Sequence, residues 1–201
     1  SMGISAGLLL DKGYRKLNDE KIARISLRLK HNSARTDGLT YGINLNGGFT
    51  NKTDFLLWED ATNGALKQSP STAAEVNGNF FTADPFITYK KNDRIRHDLK
   101  MRFQSAFNTF PVRVQNNSGA NSLYSEYQLL LKLNDISDLT SGFSGTFSDV
   151  RSRFYGDHTG LNVAAFSQLE LRPLDNLKAV AGVRLEHNRL DRLNDKLTPV
   201  F

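Results

Sequence analysis

Four histidines, 21 acidic residues and many hydroxyls supply the raw material for hydrolysis or metal binding. Their spacing assembles neither. A Ser-His-Asp order, an HExxH helix, a phosphate-cradling loop and a GxGxxG turn are all missing, and Gly156-Asp157-His158 is too short to specify a site. No two histidines stand at ligand spacing, and without cysteine there is no thiolate for a metal and no disulfide. The expectation is no catalytic residue, no metal ligand set and no cofactor.

The reactive side chains do follow a rule, which is alternation. Arg24, Ser26, Arg28 and Lys30 interleave with Ala23, Ile25, Leu27 and Leu29; Asp98, Lys100, Arg102 and Gln104 interleave with Leu99, Met101 and Phe103. Glu126, Gln128 and Lys132 alternate with Tyr127, Leu129, Leu131 and Leu133, and Gln168 and Glu170 with Leu169 and Leu171. Arg184 and Glu186 lie two apart among Val183 and Leu185. Period two places successive side chains on opposite faces of a strand, so each such segment has one apolar and one polar face.

Charge patterning of this kind argues against a nucleic-acid partner. The formal charge is +5, but the 26 basic residues are scattered and the acidic ones are interleaved among them, so no run concentrates a field. Thirteen Phe, 15 Gly and only 5 Pro favour many strands joined by turns and exclude a collagen-like or disordered chain. No apolar run approaches the length of a spanning helix.

About nine alternating segments, each roughly the ten residues that a tilted strand needs to cross a bilayer, run from Ile4–Asp11 to Leu177–Asn188. Pro85 has no amide to donate, so a bulge is expected there if its strand is interior. Short connections at 32–38, 91–94, 134–138 and 173–176 alternate with longer ones at about 51–76, 109–122 and 149–160, as in a membrane barrel with tight turns at one end and long loops at the other. Tyr41, Trp58, Tyr89, Phe107, Tyr124, Tyr127, Phe147 and Tyr155 fall near segment ends, where interfacial aromatic girdles sit. His31, His97 and His187 share the apolar face near strand ends; His158 falls in a loop.

The run from Gly156 to Gln168, including Asn162, Ala164, Phe166 and Gln168, resembles a barrel strand of the TonB-dependent outer-membrane receptor family. Leu177–Asp191 (LKAVAGVRLEHNRLD) is similar to the strand that follows it there, with Leu177, Gly182, Arg184 and Glu186 in the matching places. Gly38–Gly42, Ala83–Phe86 and Ser125–Gln128 also look like barrel segments of that family. The resemblance implies an all-β, antiparallel up-and-down meander of about eight or nine strands, part of a larger transmembrane barrel of about 22 strands with a plug domain in its lumen. Residues 1–3 read as an expression-tag remnant and 4–201 as a partial barrel domain truncated at both ends.

It further implies import of a scarce large solute across the cell outer membrane, with the TonB system, the plug domain and outer-membrane lipid as partners. Arg24, Arg28, Lys100, Arg102, Glu126, Gln128, Lys132, Gln168, Glu170, Arg184 and Glu186 are then the lumen- or plug-facing set. Tyr41, Phe49, Trp58, Phe103, Phe107, Tyr127, Phe143 and Phe147 are the lipid-facing or girdle set. Two alternatives come from other classes: a soluble β-sandwich that recognises glycan or protein, and a small complete outer-membrane barrel with an adhesive or structural role.

Overall fold

A computed structural model describes residues 1–13, 19–54, 59, 62, 69, 71–174, 176–191 and 194–200, with 54 and 194–200 in backbone only. Ten strands form one antiparallel sheet in which every strand pairs with its sequence neighbours: β1 (Met2–Asp11), β2 (Glu20–Asn32), β3 (Leu39–Asp54), β4 (Ala74–Lys90), β5 (Ile95–Thr109), β6 (Ser118–Asn134), β7 (Ser137–Ser152), β8 (His158–Leu174), β9 (Leu177–Leu190) and β10 (Asn194–Val200). The first and last strands do not pair with each other, so the sheet stays open at two edges. The chain is thus part of a meander barrel, with β10 adding a strand beyond the alternating segments read from the sequence.

No second layer covers the sheet among the described residues. Among the described residues the only buried hydrophobic side chains are Val76 and Ala164, while Ile4, Leu8, Phe143 and many others stand in the open. The accessible surface is 14043 Å², against roughly 9500 Å² for a compact soluble monomer of this mass. A sandwich would cover one face of each sheet with the other. Here nothing does, and the two-layer alternative fails; the unpaired edges likewise remove the small closed barrel.

Register carries the alternation across the whole sheet. Leu27 pairs with Leu45, Leu45 with Ala83, Ala83 with Phe103, Phe103 with Leu123, Leu123 with Phe147, and Phe147 with Leu161. One residue along, Arg28, Asn44, Asp84 and then Thr146 and Asn162 occupy the opposite face. Because strand side chains alternate, this constant register puts every apolar set on one side.

The apolar band does not run straight along these rows. Its midpoint in β1 is Ala6, between Met2 and Leu10, and in β9 it is Ala181, between Leu177 and Leu185. The ladder from Ala6 instead passes Ile25, Gly47, Phe81, Ser105, Asn121, Asp149 and Thr159 to Asp191, ten residues beyond Ala181. Ten residues are about 33 Å along the strands and eight strand steps about 38 Å across them. The band is therefore inclined to the rows so that the strands lean roughly 40° from its normal.

Three local expectations are corrected. Strands β3 to β8 run 15 to 17 residues, well past the apolar segments. The ladder needs only backbone partners and continues where the side-chain pattern turns polar, so the connection expected at 149–160 shrinks to 153–157 and that at 109–122 to 110–117. No bulge marks Pro85: Ala83 pairs with Phe103 and Phe86 with Lys100, three residues apart on both strands, and only the ladder pairs at Asp84 and Pro85 drop out. The missing donor interrupts the ladder without inserting a residue. His158 opens β8 instead of lying in a loop.

At the tight end, side chains set the turns. Ser33 Oγ accepts from the amides of Arg35 and Thr36, Asn92 from Arg94 and Ile95, and Asn134 from Ile136, the local bonding that makes Ser and Asn turn formers. Gly38, at φ +75°, closes the first of these turns, where a Cβ would strike the Lys90 carbonyl.

Candidate functional site

The charged face of the sheet is the candidate site. All eleven residues expected to be lumen-facing, from Arg24 and Arg28 through Lys100, Arg102, Glu126, Gln128 and Lys132 to Gln168, Glu170, Arg184 and Glu186, share it by register. Tyr41, Phe49, Phe103, Phe107, Tyr127, Phe143 and Phe147 share the other. Trp58 lies outside the described residues. Tyr124, grouped with the girdle aromatics by its position near a strand end, is corrected: it stands on the charged face and donates to Glu126 Oε2 at 2.6 Å. Position along a strand does not reveal its face; parity does.

Charged side chains on this face find partners across strands. Arg102 grips Asp84 with two parallel bonds, Nε to Oδ1 at 2.7 Å and a terminal nitrogen to Oδ2 at 2.8 Å, at the very place where Pro85 breaks the ladder. Asp98, buried, accepts from Thr88 at 2.6 Å and pairs with Arg96 at 2.9 Å. A buried carboxylate needs such partners, because an isolated charge in a low dielectric is costly. Sequence reasoning named Arg102 but missed Asp84 as its counterpart, and it did not bring Thr88 to Asp98; both contacts cross strands and are visible only through the register.

The family-like motif of β8 and β9 becomes a single interlocked patch. Asn162, Ala164, Phe166 and Gln168 pair with Asn188, Glu186, Arg184 and Gly182. Asn162 donates to Glu186 at 2.5 Å and also reaches Asn188. Arg184 bonds Glu186 at 2.9 Å and Ser144 at 3.3 Å, with its guanidinium 5.9 Å from the centre of the Phe166 ring, a cation over an aromatic face. Ala164 is buried within this patch. Arg184 and Glu186 therefore satisfy each other and hold wall strands together.

Aromatic rings reach this face through glycine. Phe80, Phe86 and Phe166 stand directly opposite Gly48, Gly42 and Gly142, and a Cβ on Gly142 would come within 2.7 Å of the Phe166 ring.

On the apolar face, His97 Nδ1 meets the Tyr127 hydroxyl at 2.8 Å between the rings of Tyr89 and Tyr127, and His31 lies 5.2 Å from the Tyr41 ring.

At the loop end, His158 joins the β9–β10 turn. Its Nδ1 lies 2.8 Å from Asp191 Oδ2 and its Nε2 3.1 Å from the Tyr155 carbonyl. Only the protonated ring donates from both nitrogens. The Asp191 bond, then the Tyr155 carbonyl, hold the imidazole above its ordinary range, and the same His158 bond holds the Asp191 carboxyl below its own.

No group of His, Cys, Asp and Glu able to hold a metal occurs among the described residues. None of their helices is long and apolar enough to cross a membrane, which says nothing about strands. No curated protein matches the chain. The family model described as TonB dependent receptor-like, beta-barrel, matches residues 5–200.

Proposed function

Because the chain belongs to the TonB-dependent receptor barrel family, whose members are outer-membrane transporters working with TonB and a plug domain, we propose that it is barrel wall of an importer for a scarce large solute. Metal chelates, vitamins and glycans are the solute classes. The ten strands position lipid on one side and plug, water and solute on the other; by themselves they do not transport.

One observation carries this reading. The apolar band leans by roughly 40° against the strand rows, and transmembrane strands tilt by about 35–45°. A sheet that met a second protein layer would have no reason to keep its apolar residues at one height along a tilted axis. The band in β8, Leu161 to Leu171, projects to about 25 Å along that normal, matching the apolar belt of such barrels. The exposed Phe and Leu side chains then face lipid tails, where exposure is favourable.

These 201 residues contain no cysteine; with any cysteine elsewhere in the full receptor replaced, spin labels can be placed singly at residues 98–107 in outer membranes. Oxygen, which concentrates in lipid, should relax labels at 99, 101, 103 and 107 most strongly, and a water-soluble nickel reagent should not reach them. If the nickel reagent reaches that set and oxygen favours 98, 100, 102 and 104, the membrane reading is wrong.

A further inference from the structure

We propose that the tip of the β4–β5 hairpin holds the phosphate of an anionic glycerophospholipid on the outward face of the wall, an assignment that rests on the membrane reading above. Four side chains make the site. Tyr89 pairs with His97 across the ladder. Lys91, whose amide donates to the Ile95 carbonyl at 3.0 Å, stands two residues further on the same face. The Tyr127 hydroxyl reaches His97 from β6.

Three polar groups of this cluster have no protein partner among the described residues. The Tyr89 hydroxyl makes no hydrogen bond, although its ring stacks on His97 at 6.1 Å. Tyr127 takes His97 Nδ1 at 2.8 Å and leaves Nε2 without a partner. Lys91 is exposed and pairs with no carboxylate, because the acid in its own turn, Asp93, is held by Lys90 at 2.7 Å.

Depth decides what meets these groups. Midway across the sheet the apolar band has slid by half of its ten residues, so from the ladder position at Ser105 its midpoint on β5 falls near Lys100. His97 lies three residues and Ile95 five residues towards the tight end, roughly 8 and 13 Å from the midplane at the lean of the strands. The apolar belt ends about 12 Å out. Tyr89 and His97 therefore sit just inside its edge, and Lys91 at it.

A general girdle would carry polar-tipped rings all round the wall. This cluster is local: near the same edge β6, β8 and β9 present Leu133, Leu171 and Leu177, all exposed. Leu99 and Met101 continue the face inwards from His97, so the molecule that meets the cluster has apolar chains on one side of it and a polar group at its level. That is a lipid. A cation flanked by a hydroxyl and an imidazole nitrogen fits a phosphate, whose oxygens accept charge-assisted hydrogen bonds. Lys91, with no acid to offset it, repels the amine of a zwitterionic head group. The preference is therefore for a head group of net negative charge.

The test uses the full receptor with its plug, stripped of lipid in detergent. Native mass spectrometry counts bound dioleoylphosphatidylglycerol or dioleoylphosphatidylcholine as each is titrated in. Unmodified receptor should take its first phosphatidylglycerol at lower concentration than phosphatidylcholine. Tyr89→Phe with Lys91→Gln should weaken phosphatidylglycerol binding by about tenfold, the loss expected for a charge-assisted hydrogen bond, and leave phosphatidylcholine unchanged. Arg153→Gln, exposed at the loop end, should change neither. Lys91→Gln alone, at an exposed turn position, carries the comparison if the double variant fails to assemble.

Equal affinity for the two lipids, or an equal loss from the loop-end control, overturns the proposal. Displacement of the lipid by sodium phosphate also overturns it and makes this a site for a free anion. Failure of the membrane reading would appear separately, in the spin-label accessibilities.

Discussion

Small residues decide where an aromatic ring can cross this wall. Gly142 leaves room for Phe166, whose ring in turn carries Arg184. Gly142→Ala should therefore lower stability by about 1–3 kcal/mol, the usual cost of overpacking. Gly160→Ala, at a site with nothing within 4 Å, should be close to neutral, and denaturant unfolding of the two variants in lipid distinguishes them. At the loop end, the His158–Asp191 contact predicts a pH window. His158 is raised, so its contribution is complete below its unfolded value near 6.5 and is lost as pH rises through the folded value. Asp191 is lowered, so its contribution is present above its unfolded value near 3.8 and is lost as pH falls through the folded one. The turn should be most firmly held between these limits. An imidazole resonance titrating above the free value checks it, and Asp191→Asn should bring that titration back down. An unshifted resonance in the unmodified receptor would count against the contact.

Strands make the two faces chemically opposite although they share one backbone. Phe103→Arg, on the apolar face, should cost roughly 2–4 kcal/mol if that face meets lipid, whereas Gln104→Arg, one residue on, should stay within about 0.5 kcal/mol. Reversible unfolding in bilayers reads both; equal costs would mean that the faces are not distinguished by lipid. Much of this level was legible in the sequence. Alternation assigned every strand from β2 to β9 and put Arg184 and Glu186 side by side. It stopped at the strand ends, because side-chain pattern reports what a face touches and the ladder reports only backbone pairing. Tyr124 and the strand lengths were misread for that reason. Pro85 was misread for another: losing a donor removes ladder pairs, and the Asp84–Arg102 fork spans the gap without an extra residue.

At the scale of the molecule, an open tilted sheet has a measurable orientation. Polarised infrared spectra of the receptor in oriented membranes should give a mean strand tilt of about 40°; strands lying near the membrane normal would contradict the inclination of the apolar band. The sequence by itself determined the class of the fold, the two faces and the family resemblance, since period two and turn residues are local properties of the chain. Only the tertiary structure decided which strand rows align. The slide of the band and the Arg102–Asp84 and Thr88–Asp98 contacts depend on register, a relation between residues distant in the chain that no single segment encodes.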